Sequence, residues 1–260
     1  MPNEATATDI VVKARQIEHA YDAAQPVLRG VDFTARRGTL TVLAGANGSG
    51  KSTLVRILAG VLEPSSGEVH FADRALATRG GPGYVAQDAA LDPEMTGGET
   101  LELFAALYGL ARSQCASRIA EVAASIGLEG WLDQRIDVLS GGQRRRLHLA
   151  AGMLHDPELL CLDEPGVGLD PDGVTMLWAE LERRARAGCA VVIVSHDLIT
   201  AERHAGVVAM LEAGRVAAIG PPAELIAAHP PDLQAVYRHV TGRAPESEPR
   251  VRRGRRARRQ

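Results

Sequence analysis

Apolar residues along this chain fall into two kinds of pattern. Short continuous runs at 159–162 (Leu-Leu-Cys-Leu) and 190–194 (Ala-Val-Val-Ile-Val) have the length of strands and no polar face, so they predict strands buried on both sides in a parallel sheet with helices over each face. Similar short runs at 40–44, 207–211 and 215–219 predict further strands. Segments 10–20 and 27–34, separated by the turn-like 21–26, predict an antiparallel β layer ahead of the strand at 40–44. Strands are also expected at 67–72 and 83–87. Between 92 and 155 the spacing changes to that of helices. Leu101, Phe104, Ala105 and Tyr108, then Ile119, Val122, Ala123 and Ile126, recur at i, i+3, i+4, i+7, with stops at Gly109, Gly127 and Gly130. Residues 172–187 fit a crossover helix and 223–228 a short one. The expected fold class is α/β: a mixed, largely parallel sheet, an antiparallel β layer, and an inserted helical subdomain at about 88–155. The folded domain spans 10–240, after an N-terminal extension (1–9) and before a disordered Arg-rich tail (241–260).

Composition narrows the partners. With 45% hydrophobic residues in 260, the chain can bury a full core, but aromatics make up only 3%, too few for a surface that stacks single-stranded nucleic acid, so no specific nucleic acid is expected. No run approaches the roughly 18 to 20 apolar residues that span a bilayer, and residues 1–10 lack the features of a signal peptide, which predicts a cytoplasmic chain. Cys115, Cys161 and Cys189 are widely spaced and point to neither a disulfide frame nor a zinc site. The net charge of −3 hides seven arginines between Arg250 and Arg259, so the rest of the chain is markedly acidic. Such tails are usually solvated and unstructured, and anionic lipid is a further possible contact.

The chemistry begins at Gly45-Ala46-Asn47-Gly48-Ser49-Gly50-Lys51-Ser52-Thr53, which meets the pattern G-x-x-x-x-G-K-[ST] between a predicted strand and the helical run 54–58. A glycine-rich loop lets backbone N–H groups converge on phosphate oxygens, the helix N-terminus adds a positive dipole end, and a lysine and a hydroxyl stand beside it. A P-loop NTPase core follows. A second anion-ready helix start lies at Ser140-Gly141-Gly142-Gln143, after Leu139, where Ser140 is a natural N-cap and two glycines permit close approach. The strand at 159–162 then ends in Asp163-Glu164.

These three motifs in this order closely resemble the ATP-binding cassette (ABC) family, whose signature is LSGGQ, and the resemblance covers about residues 10–240. It implies an ATP hydrolase that uses Mg²⁺. Lys51 would neutralise charge on the β- and γ-phosphates, Ser52 and Asp163 would hold Mg²⁺, and Glu164 would polarise the attacking water as general base. Gln87, ending a predicted strand, matches the family's Q-loop, which senses Mg²⁺ and the γ-phosphate. His196 in Val194-Ser195-His196-Asp197 matches the switch histidine. Tyr21 matches the aromatic that stacks on adenine, and Asp170 the D-loop, although Gly166 stands where Thr or Ser is usual.

One chain carries two anion-binding helix starts but a single set of Lys51, Asp163, Glu164 and His196. The economical arrangement, and the family's, is a head-to-tail pair in which Ser140 and Gly142 of one copy close over the ATP held by a second copy or a related ATPase subunit. The stretch 93–110 resembles that of ABC-2-type and antibiotic-resistance exporter ATPases, apart from Gly97 and Gly98, where bulkier residues are usual. This implies an exporter subunit, peripheral on the cytoplasmic face of the cell membrane and powering separate transmembrane permease subunits. The alternative class is a soluble ABC-type ATPase that serves as an assembly scaffold.

Overall fold

The computed structural model describes residues 9–22, 25–72, 81–88 and 91–245. Its centre is a six-stranded sheet in the order β5-β6-β7-β3-β8-β9, formed by β3 (Leu40–Gly45), β5 (Gly83–Val85), β6 (Leu159–Asp163), β7 (Ala190–Val194), β8 (Val207–Glu212) and β9 (Arg215–Gly220). All neighbours pair in parallel except β9, which returns antiparallel to β8. The continuous apolar runs follow from this placement. Successive side chains of a strand point to opposite faces, and each face here has its own core. Leu159 and Cys161, Ala190, Val192 and Val194, and Ala209 and Leu211 pack with the antiparallel sheet and α1 (Lys51–Leu58). Leu160 and Leu162, Val191 and Ile193, and Val208 and Met210 pack on the opposite side with the remaining helices. Each fully buried Val, Leu or Ile contributes roughly 1.5 to 3 kcal/mol, so the interior positions of β6 and β7 are all apolar, and β6 turns polar only at its last residue, Asp163.

The antiparallel layer has the order β2-β1-β4, from β1 (Ile10–Asp22), β2 (Gln25–Arg36) and β4 (Ser66–Phe71). The helical subdomain contains α2 (Gly97–Leu107), α3 (Arg112–Ser125) and α4 (Gly141–Met153), with Leu101, Ala105, Ile119, Val122, Ala123 and Ile126 buried as their spacing predicts. Gly97 and Gly98 now have a reason. Their N–H groups donate to Gln134 O (3.0 Å) and Leu132 O (2.7 Å), and a Cβ on either would sit 3.2 to 3.3 Å from the backbone of Trp131 or Leu132. The loop before α4 is therefore laid directly on the start of α2, and bulkier residues would push it off.

After the crossover helix α5 (Pro171–Arg186), the chain forms α6 (Leu198–His204), α7 (Pro222–Ala228) and α8 (Leu233–Thr241). Periodicity did not predict α6 or α8. Each is about two turns long and buries only two or three side chains (Leu198 and Ala201; Leu233, Val236 and Tyr237), too few to stand out along the sequence. The strand expected over 83–87 stops at Val85, because the carbonyls of Ala86 and Gln87 are taken by the guanidinium of Arg145 instead of by a neighbouring strand. The chain leaves α8 through Gly242, which caps it in the left-handed conformation. Most of the expected tail (246–260), including all seven terminal arginines, and nearly all of the N-terminal extension (1–8) lie outside the described residues. Among the described residues no helix is long and apolar enough to cross a membrane.

Candidate functional site

The glycine loop runs from the C-terminal end of β3, the central strand, into α1, where the neighbouring parallel strands also end. Gly45 is required by crowding: a Cβ there would lie 2.4 Å from Leu211 O and 2.6 Å from Ser49 Oγ. Gly50 is required by conformation and crowding together, with φ at +104° and a Cβ that would meet Leu28 Cδ2 at 2.6 Å. Gly50 is also the N-cap of α1 and offers no capping side chain, so the first N–H groups of this helix are left for an anion. The hairpin turn between β8 and β9 braces the loop from outside. Gly214 donates its N–H to Ser49 O (3.2 Å) and accepts from Arg29 N (2.9 Å).

Lys51 is only 5% exposed, and its Nζ donates to Gly45 O (2.8 Å) and Ala46 O (3.0 Å), so the ammonium is folded back over its own loop. Ser52 Oγ donates to Asp163 Oδ1 at 3.0 Å. Asp163 closes β6 with no exposed surface, and its Oδ2 has no hydrogen-bond partner. Burial pushes its carboxyl above the ordinary carboxylate range, against the opposing pull of Ser52, Arg56 and Lys51. An orphaned buried carboxylate oxygen beside a hydroxyl is a donor set of the hard-oxygen kind that suits Mg²⁺.

Glu164 stands one residue on, in the left-handed conformation (φ +48°) that non-glycine residues rarely adopt. Its N–H donates to Val194 O (3.2 Å). Its Oε1 lies 2.8 Å from His196 Nε2, a close ion-pair distance, although the ring N–H is not aligned for a hydrogen bond. His196 is carried by the turn after β7, just ahead of α6.

A cleft of about 500 Å³ gathers Asn47, Gly48, Gly50, Lys51, Ser52 and Thr53 with Gln87, Glu164 and His196, and Tyr21 stands at its edge. Tyr21 is 61% exposed, its hydroxyl is 3.4 Å from Thr53 Oγ1, and His19 packs edge-on against its ring at 4.8 Å. Tyr21 thus stands exposed at the mouth of the cleft, where a planar ring can meet it. Residues separated by as many as 175 positions thus converge on one opening.

Ser140, Gly141, Gly142, Gln143 and Asp170 do not line this cleft. Ser140 caps α4 through a reciprocal box, with Gln143 N donating to Ser140 Oγ (3.2 Å) and Ser140 N to Gln143 Oε1 (2.7 Å). The Ser140 hydroxyl only accepts in this cap, which leaves its O–H to donate outward. A Cβ on Gly142 would sit 3.3 Å from Gly168 O, so the start of α4 lies close over the loop before α5. Asp170 caps α5 through Gly173 N (2.9 Å) and pairs with Arg146 Nη2 (2.9 Å), so its carboxylate is engaged within its own chain. A Cβ at Gly166 would meet nothing within 4 Å, so the absence of the usual Thr or Ser there does not arise from crowding.

Sequence reasoning missed Arg145. Residues 144–146 continue the helix that starts at 140–143, and the Arg145 side chain is buried among backbone carbonyls. A signal was present: consecutive helical residues are about 100° apart, so three adjacent arginines cannot all face solvent on a helix packed as closely as α4.

The chain matches the ABC transporter family over residues 28–167. It is 36% identical to the Nod factor export ATP-binding protein I of Cupriavidus metallidurans over 77% of this chain and 68% of that protein. It is 37% identical to the daunorubicin resistance ATP-binding protein DrrA3 of Streptomyces coeruleorubidus over 76% of this chain and 64% of that one. Among solved structures, the ATP-binding subunit of an ABC transporter superposes with a TM-score of 0.81 at 28% identity, covering 88% of this chain and 99% of the other.

Proposed function

Since the chain belongs to the ABC transporter family, we propose that it is the ATP-binding and ATP-hydrolysing subunit of an exporter, working as a head-to-tail pair against separate transmembrane subunits. The observation that carries this reading is the division of the motifs. Lys51, Ser52, Gln87, Glu164 and His196 share one cleft, while Ser140 to Gln143 present a second anion-ready helix start outside it. The hydrolytic half and the covering half of a site are both present, but they do not face each other within one copy. Export, as opposed to uptake, is supported by the names of the relatives, which refer to Nod factor export and daunorubicin resistance.

In this reading the N–H groups of the glycine loop bind the phosphates, and Lys51 turns its ammonium from the carbonyls of Gly45 and Ala46 toward the β- and γ-phosphates. Bound Mg²⁺ supplies further neutralisation of phosphate charge, with Ser52, Asp163 and Gln87 as the residues that would hold it. Glu164 accepts the proton of the attacking water, and His196, 2.8 Å away, keeps that carboxylate turned into the cleft. Tyr21 stacks on the adenine ring. Ser140 and Gly142 of the second copy donate to the γ-phosphate, so ATP closes the pair and its cleavage releases it.

Sedimentation velocity tests the pairing. ATP in the presence of EDTA should convert the wild-type chain from monomer to dimer, and Ser140→Arg should stay monomeric while still binding nucleotide. A wild-type chain that remains monomeric with ATP yet hydrolyses it at a rate per molecule independent of dilution would remove the head-to-tail reading. We also assign the terminal arginines to anionic lipid at the inner membrane surface, where each basic residue contributes about 1 kcal/mol. Deleting residues 250–260 should weaken salt-sensitive binding to phosphatidylserine vesicles and leave ATP turnover intact; unchanged vesicle binding would rule the lipid contact out.

A further inference from the structure

Arg145 lies in the second turn of α4, two residues past Gln143, and is 6% exposed. Its guanidinium meets five main-chain carbonyls from two separate segments. Nη1 donates to Ala86 O (2.7 Å) and Gln87 O (2.8 Å), Nη2 to Asp163 O (3.0 Å) and Glu164 O (2.8 Å), and Nε to Pro165 O (3.1 Å). No carboxylate pairs with it among the described contacts. Its neighbour His148, held down to about 4 by burial and by Arg145 itself, is neutral and turns Nδ1 toward Nη1 at 3.5 Å.

This geometry does more than fill space. Glu164 is held in the left-handed region, a conformation that persists only where its surroundings fix it. Three hydrogen bonds to its main chain do so: its N–H donates to Val194 O (3.2 Å), and its carbonyl accepts from Val167 N (3.2 Å) and from Arg145 Nη2, the one side chain of the three donors. The same guanidinium fixes the peptide units of Ala86 and Gln87, and those contacts end β5 before Gln87. A planar fork of five donors suits this arrangement, and neither lysine nor an amide can reproduce it. On the next residue, Arg146 reaches the other way, to Asp170 and to the carbonyl of Ile126 (3.1 Å). The helix that begins at Ser140 is thus tied by adjacent arginines to both Glu164 and Asp170.

We propose that Arg145 is a positioning residue for hydrolysis, which registers the Gln87 loop against Glu164 and makes both follow any movement of the signature helix α4. The proposal rests on the hydrolytic reading above and deepens it. If a second copy's ATP is gripped at the start of α4, the grip is transmitted through Arg145 to this copy's own base, so each subunit senses occupancy of both sites.

Three variants of the full chain test this: Arg145→Lys, Arg145→Gln, and Arg118→Gln as a control. Arg118 also donates to backbone carbonyls, those of Met153 and Leu154 at the end of α4, but touches none of the cleft residues. Arg145→Gln should lower kcat at least about tenfold with the dissociation constant for ATP within about threefold of wild type, and should reduce the Hill coefficient for ATP toward 1. Arg145→Lys should fall between and serves if the glutamine variant does not fold. Arg118→Gln should lower the melting temperature without that split. Hydrogen–deuterium exchange without nucleotide gives a readout independent of turnover: peptides covering 84–88 and 162–168 should exchange faster in Arg145→Lys, while the first turn of α4 stays as in wild type. The proposal is overturned by unchanged kcat, by kcat and ATP affinity falling together in step with stability as a packing defect would cause, or by unchanged exchange in those peptides. A wild-type chain without ATPase activity would sink the hydrolytic reading, and the exchange measurement would still decide whether Arg145 holds the two segments.

Discussion

Glu164→Gln is expected to reduce steady-state ATP turnover by about 100- to 10,000-fold, the range that a positioned general base contributes, while ATP binding survives and the ATP-bound dimer accumulates. The substitution keeps the size of the side chain and removes its capacity to take a proton. The glycine loop, Lys51 and the Ser52–Asp163 pair are untouched, so the affinity for nucleotide has no reason to change. Two assays separate the steps: phosphate release measures turnover, and sedimentation in ATP reads the dimer. Turnover near the wild-type rate in this variant would show that another group accepts the proton. The geometry makes the prediction sharp, because among the described residues that line the cleft Glu164 is the one carboxylate. Asp163 has one oxygen committed to Ser52 and is fully buried.

Lys51→Ala is expected to be as severe but to act earlier. Lys51 is one of two lysines in the chain and the one that lines the cleft. A hydrogen bond to a charged group contributes about 1.5 to 3 kcal/mol, so ATP affinity should fall roughly 10- to 100-fold. Turnover should fall further, since charge on the phosphates grows toward the transition state. Binding of a fluorescent ATP analogue and the ATP-dependent rise in melting temperature report the first loss, and both should nearly vanish. The apo chain should lose little stability, because Lys51 lines the open cleft and water entering there can take the place of its ammonium. Wild-type affinity in this variant would mean that the lysine stays folded onto its loop and never reaches nucleotide.

Local patterns determined much of this protein. The two-sided apolar runs at 159–162 and 190–194 forced strands into the middle of a parallel sheet, because a strand without a polar face can rest only between two packed layers. The glycine loop was legible because its glycines answer short-range constraints: positive φ at Gly50 and the absence of room at Gly45. Ser140 was legible as a cap for the same reason, since a capping box spans only four residues, here Ser140 to Gln143.

The tertiary structure decided what depends on residues distant in sequence. It showed that Gln87, Glu164 and His196 open into the same cleft as Lys51, and that Gly97 and Gly98 make way for the loop at 132–134. It ended β5 at Val85 by lending Arg145 to two carbonyls that a neighbouring strand would otherwise take. Arg145 is the clearest case. Along the sequence it is one of three adjacent arginines, and helix geometry says that they cannot all face solvent but not what the inward one meets, because the carbonyls that hold it belong to segments about 20 and 60 residues away. A buried cation is defined by its acceptors, and only folding brings those acceptors together.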